Sequence, residues 1–154
     1  CKEFMLDPWQ VWEARAAGAD AILLIAGFVG WPELADLRSA AREAGMDVLV
    51  EIHDLEELEG ALTLAPDLLG VNNRKLRSAD LATDLTVTES IAPHVPPCQG
   101  LISESGIRTA QDVRRLAAVG IDGILVGEHL MREADPGAAI TTRLGLGATP
   151  AIMS

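Results

Sequence analysis

Positive charge is scarce in this chain: 12 Lys and Arg stand against 23 Asp and Glu, a net charge of −11. No global positive field exists to draw in nucleic acid or an anionic membrane. Cysteine is scarcer still. Cys1 and Cys98 are too few for a disulfide framework and lack any Cys-x-x-Cys or Cys/His ligand spacing, which leaves two reduced thiols. The apolar runs, such as Ala21 to Val29, fall well short of the ~20 residues of a membrane helix, and no charged-then-apolar leader opens the chain. Low-complexity tracts are missing too, and 154 residues of which 49% are hydrophobic suffice for one domain with a substantial core. The expectation is a soluble, cytoplasmic protein that acts on a small molecule, with no nucleic-acid or membrane partner. Its first residue is Cys rather than Met, which suggests a fragment or a processed product.

What is present is a repeat. A small residue, any residue, Asp and then an apolar run occur as Gly18-Ala19-Asp20 before AILLI, Gly45-Met46-Asp47 before VLVEI, Ala65-Pro66-Asp67 before LLGV, and Gly120-Ile121-Asp122 before GILVG. A differently worded unit, Cys98-Gln99-Gly100 before LIS, falls between the last two. The runs do not alternate, as suits parallel strands buried on both faces. Helix signals fill the gaps. Asp7-Pro8 before WQVWEARAA gives a cap and a proline at the first helical position, and Gly18 gives the left-handed stop. Asp54 with Glu57, and Thr109 with Asp112, are capping-box-like starts, and Pro32 to Ala44 reads as a further helix ended by Gly45.

Strands are therefore expected at about 1–4, 21–26, 47–52, 68–71, 99–103 and 123–126, with a helix after each. Strict βα alternation argues an α/β fold with right-handed crossovers. A closed barrel needs eight such units, so two are missing. The period alone also allows an open doubly wound sheet, but no Gly-x-Gly-x-x-Gly turn follows the first strand.

In an α/β barrel the reactive groups sit at the carboxyl ends of the strands. There the sequence is polar: Lys2 in CKEF, Glu51 in VEIHD, Asn72-Asn73-Arg74 in GVNNRKL, Ser103-Glu104-Ser105-Gly106 in LISESGI and Gly127-Glu128 in LVGEHLM. Glu51 ends an apolar strand, where a lone carboxylate is costly, so it should pair with a cation such as Lys2 or have a raised pKa. Residues 105–106 and 127–128 read as helix starts, whose outward amides favour an anion.

The strings KEF-x-x-DP, AGADAILLI, VEIHD, GVNNR, SESGI and VGEHLM, in this order, resemble the indole-3-glycerol-phosphate synthase family over residues 2–144. The resemblance implies a TIM (β/α)8 barrel that is incomplete, units three to eight over 1–144, about three-quarters of the family enzyme, with a flexible tail over 145–154. It implies ring closure, decarboxylation and dehydration of 1-(2-carboxyphenylamino)-1-deoxyribulose 5-phosphate, a carboxy-lyase reaction of tryptophan biosynthesis that needs acid–base groups and no cofactor or metal. By the same resemblance Lys2 is the general acid, Glu51 assists the proton transfers and Asn72 orients substrate hydroxyls. Phe4, Leu23, Arg74, Glu104 and Ser105 contact substrate. Ser105, Gly106, Gly127 and Glu128 hold the phosphate, with only the backbone amide of Glu128 facing it.

Other residues read more plainly. His53 is a neighbour of the next helix cap, Trp9 and Trp12 are packing residues three apart on one helix, and His94 and His129 have no partner that sequence identifies. The family's first-strand E-x-K-x-x-S-P-S segment, with a further glutamate and lysine, does not occur in the chain. Two classes follow: a synthase whose chain is incomplete, or a non-catalytic barrel fragment that self-associates or pairs with a separate amino-terminal segment. A barrel of the phosphoribosylanthranilate isomerase kind is disfavoured, since its reaction needs a cysteine and an aspartate and Cys1 lies in the wrong motif.

Overall fold

A computed structural model describes residues 1–74 and 82–146. Five parallel strands form one sheet: β1 (Ala21–Ile25), β2 (Asp47–Ile52), β3 (Leu68–Asn72), β4 (Leu101–Glu104) and β5 (Gly123–Leu125). Their order in the sheet is their order in the chain. That settles the choice left open by the period, because a doubly wound sheet must reverse its strand order somewhere and this one advances in one direction only. The fold is an incomplete α/β barrel.

The helices are α1 (Pro8–Ala16), α2 (Trp31–Glu43), α3 (Leu58–Thr63), α4 (Thr86–Ile91), α5 (Ala110–Ala117), α6 (Glu128–Met131) and α7 (Pro136–Thr142). The expected caps form: the Asp7 side chain accepts from the Trp9 amide, Asp54 from Glu57 and Thr109 from Asp112. Gly18, Gly45 and Gly120 end their helices at φ of 94°, 67° and 88°, a region that costs glycine nothing. The aspartate of the repeat has a structural use in two units. Asp67 and Asp122 accept, at 2.8 Å each, from the amides of Val48 and Leu101, and so clamp the foot of the neighbouring strand.

The sixth strand, expected over 1–4, is absent among the described residues. Only Cys1 pairs along β1, accepting from the Leu23 amide at 3.2 Å and donating to the Ala21 carbonyl, the pattern of a parallel ladder. Beyond it the Gln10 side chain captures the backbone, accepting from Leu6 and Asp7 and donating to Phe4, so the segment bends into α1. Of the expected tail, Gly145 and Leu146 bond back to Thr141 and Ile140 at 3.1 Å each, and 147–154 lie outside the described residues.

The helix face of the sheet is covered throughout, and the inner face only in part. Ile22, Leu24, Val48, Val50, Ile52, Leu69, Val71 and Leu101 belong to the main core with Val11, Leu34, Leu37 and Ile91 of the helices. Residues of the opposite parity form the inner face, and Leu68 and Leu125 there are about 40% exposed, at 41% and 40%. Trp9 and Trp12 are exposed as well, contrary to the sequence reading, because α1 buries its Val11 and Ala14 side instead.

Candidate active site

Strand register decides which side chains meet. On the inner face Ile25, Glu51, Gly70, Ile102 and Gly123 align across the five strands, and one step nearer the carboxyl ends Asn72, Glu104 and Leu125 align. Glu51 and Glu104 are each 2% exposed. Gly70 makes their neighbourhood possible: a Cβ there would lie 1.9 Å from Glu104 Oε1 and 3.3 Å from Leu49 Cδ1. A glycine inside a strand often marks such a close approach.

The two carboxyls differ in charge. Burial and then the neighbouring charge of Glu51 push Glu104 up to about 8, against a smaller opposing pull from Lys2. Burial raises Glu51 too, but the close approach of His53 and the hydrogen bond from Asn72 outweigh it and leave Glu51 below the ordinary range. Two carboxyls in one dry space hold a proton between them, and here Glu104 has it. Asn72 donates to Glu51 Oε1 at 2.9 Å while its own oxygen accepts from the Arg74 amide at 3.0 Å. The partner that Glu51 finds is His53, whose Nε2 lies 3.0 Å away, rather than Lys2. The reason is local: His53 is two residues on in the same extended backbone, and Lys2 is exposed on the bent segment before α1.

Lys2, Phe4, Glu51, Asn72, Arg74 and Glu104 line one cleft of about 930 Å³ together with Ser105, Gly106, Gly127 and Glu128. Leu23 is not among its lining residues. It lies one inner-face layer deeper, and Ile25 takes the lining position. Phe4 stacks against Phe28 with ring centroids 4.5 Å apart, giving the mouth an aromatic wall.

The phosphate-loop residues are placed together, with 127–128 at a helix start as expected and 105–106 not. The Thr109 capping box fixes the beginning of α5 at Ala110, so Ser105 and Gly106, at φ of 65° and 76°, form a left-handed turn four to five residues earlier. Gly106 also packs on Thr83, 2.8 Å from where a Cβ would sit. Gly127 does cap α6, which is only four residues long and offers little dipole. The Glu128 carboxylate pairs with Arg74 at 2.6 Å and Arg132 at 2.7 Å, and these with Arg108 hold it below the usual carboxylate range. A chain of net charge −11 thus carries a cationic rim on its cleft. Arg108 and Arg132 are part of it and were not singled out from sequence, although Arg108 directly follows SESGI.

Behind the turn lies a buried network that sequence reading also missed. Asn73 donates to Ser103 Oγ at 3.0 Å and to the carbonyls of Glu104 and Ser105 at 2.9 and 3.1 Å, and accepts from Thr88 Oγ1 at 2.9 Å. It ties α4 to the end of β4 and fixes the turn that follows Glu104. Among the described residues no group of three or more His, Cys, Asp and Glu side chains is arranged to hold a metal, and no helix is long and apolar enough to cross a membrane.

Comparison with known proteins places the chain in a family. The family model for indole-3-glycerol phosphate synthase matches residues 1–143. The indole-3-glycerol phosphate synthase of Rhodospirillum rubrum is 50% identical over 145 residues, covering 94% of this chain and 54% of that protein. That of Laribacter hongkongensis is 52% identical over 141 residues, covering 90% of this chain and 52% of that protein. The chain therefore spans about half the length of the curated relatives it matches, less than the three-quarters inferred from counting barrel units, which ignores whatever the relatives carry outside those units. Among solved structures, a mandelate oxidase mutant with a monooxide FMN adduct is similar at a TM-score of 0.68 and 21% identity, over 90% of this chain and 52% of that one. A native KDPGal structure follows at 0.63 and 16%, over 91% and 62%. These two show the fold alone. The match of the family model over nearly the whole chain, with relatives at half identity, establishes that the chain belongs to the indole-3-glycerol phosphate synthase family, whose members are decarboxylating lyases of tryptophan biosynthesis.

Proposed function

We propose that this chain carries the acid–base half of an indole-3-glycerol phosphate synthase site and is inactive until the barrel is completed. The observation behind this reading is the convergence of Lys2, Glu51, Asn72 and Glu104 on one cleft, with both carboxyls buried. Ring closure of 1-(2-carboxyphenylamino)-1-deoxyribulose 5-phosphate needs a proton delivered to the carbonyl oxygen as the aromatic carbon attacks. Lys2, at the cleft wall, is the donor. Loss of carbon dioxide and then water needs further proton movement, for which Glu51 and Glu104 are poised on opposite sides of neutrality.

Asn72 orients the substrate hydroxyls next to Glu51. The phosphate lies against the backbone of 105–106 and 127–128, and Arg74 leaves Glu128 to meet it. Phe4 covers the aromatic ring. The reaction takes no cofactor. The further glutamate and lysine of the family's first strand, and closure of the half-exposed inner face, come from a missing amino-terminal segment, and without it the exposed face drives self-association.

The test is formation of indole-3-glycerol phosphate, followed by fluorescence, by the chain alone and by the chain completed with the amino-terminal part of the Rhodospirillum rubrum relative. Turnover only in the completed protein is expected. Full turnover by the chain alone overturns the incompleteness, and none in a folded, completed barrel overturns the function.

A further inference from the structure

His53 lies just past β2 with its side chain 16% exposed, and both ring nitrogens face carboxylates. Nε2 is 3.0 Å from Glu51 Oε1, and Nδ1 is 3.4 Å from Glu57 Oε2. Glu57 is itself fixed, since its Oε2 accepts from the His53 amide at 2.8 Å and its own amide donates to Asp54. A neutral imidazole has one N–H and one lone pair, so in this position the bare nitrogen would always confront a carboxylate oxygen. The imidazolium instead sets a positive charge at ion-pair distance from both carboxylates. The charged groups facing the ring are Glu51 from β2 and Glu57 from the turn before α3. Burial lowers the His53 pKa, but these two carboxylates outweigh it and raise it.

We propose that His53 is a positioning residue, a cation locked between Glu51 and Glu57 that decides which of the two inner carboxyls carries their shared proton. The proposal rests on the function proposed above and names the device that gives its two glutamates different jobs. Glu51 and Glu104 occupy one low-dielectric space and cannot both be ionised there. His53 acts on Glu51 and not on Glu104, so it stabilises the charge on Glu51 and leaves the proton on Glu104. Glu51 is thereby set as the base and Glu104 as the acid before substrate arrives. Glu57 anchors the imidazolium from outside the cleft, which it does not line.

The experiment uses the 154-residue chain labelled with carboxyl-13C glutamate and ring-15N histidine, observed by NMR at about pH 6.5. Both His53 nitrogens should be protonated, the Glu51 carboxyl carbon should resonate as an ionised group and that of Glu104 as a protonated one. In His53→Gln the two carboxyl carbons should move toward each other, as the proton divides between them. In Glu57→Gln the His53 titration midpoint should fall. A His53 ring with a single N–H, or carboxyl carbons that stay in place in His53→Gln, overturns the proposal. Where His53→Gln does not fold, Glu57→Gln decides alone: a His53 midpoint that does not move is equally fatal. These resonances are read without substrate, so absence of turnover in a completed barrel would count against the function and not against the role of His53.

Discussion

Replacing Glu104 by Gln should make the protein's stability depend less on pH, and the size of the effect follows from the burial of this one group. Its carboxyl ionises at 4.5 when freely solvated and at about 8 in the folded chain. Between those values the folded state keeps a proton that the unfolded state has released. Stability contributed by Glu104 is thus full below about 4.5, declines as pH rises, and is gone above about 8. At about 1.4 kcal/mol per pH unit, the full span of roughly 3.5 units comes to about 5 kcal/mol, of which about 3 is already lost at pH 7. At 2% exposure little solvent screening reduces these figures. Glu104→Gln has no such proton to lose. Urea unfolding of the two proteins from pH 5 to 9 reads the difference directly, since distant groups common to both cancel. The wild-type curve should fall relative to Glu104→Gln across that range. Two curves that stay parallel within about 1 kcal/mol would show that Glu104 ionises normally and that the paired-carboxyl account is wrong.

Gly70→Ala should cost about 1–3 kcal/mol, as overpacking does, and should dislodge Glu104, because the added methyl lands on its carboxyl; urea midpoints and the Glu104 carbon resonance check both effects. Asn73→Ala should destabilise by about 1–3 kcal/mol, the cost of leaving buried partners unpaired, and broaden the amide signals of 104–106, which that side chain fixes. Inorganic phosphate titrated into the chain should shift amides at 105–106 and 127–128, weakly and less so at high salt. Glu128→Gln should tighten that binding by freeing Arg74, whereas weaker binding would mean that Glu128 itself organises the site.

The sheet was legible because its strands carry apolar residues on both faces, as Ile22 and Leu24 on one side and Leu23 and Ile25 on the other are all buried, so the apolar runs are continuous and the aspartates before them recur. Their ends were legible because polar residues there break an otherwise apolar run. Relations across space were harder to see. His53 looked like a cap neighbour, since nothing in the string VEIHD shows that Glu57 folds back onto the other ring nitrogen. Ser105–Gly106 looked like a helix start, yet the stronger Thr109–Asp112 box took that role and left the pair as a turn. Gly70 carried a readable signal, a glycine within a buried strand, which a search for polar residues passes over. Trp9 and Trp12 misled through their type alone. On α1 the small Val11 and Ala14 fit the space against the sheet, and the indoles remain outside.

On the function proposed above, the groups gathered at this rim perform the family's proton transfers. The most direct measurement is turnover of the carboxyphenylamino-deoxyribulose phosphate by the completed barrel and by its Lys2→Ala form, followed by indole fluorescence. Loss of a positioned proton donor should lower kcat by about 10²–10⁴-fold with the fold intact. Equal turnover by the two proteins would contradict the claim.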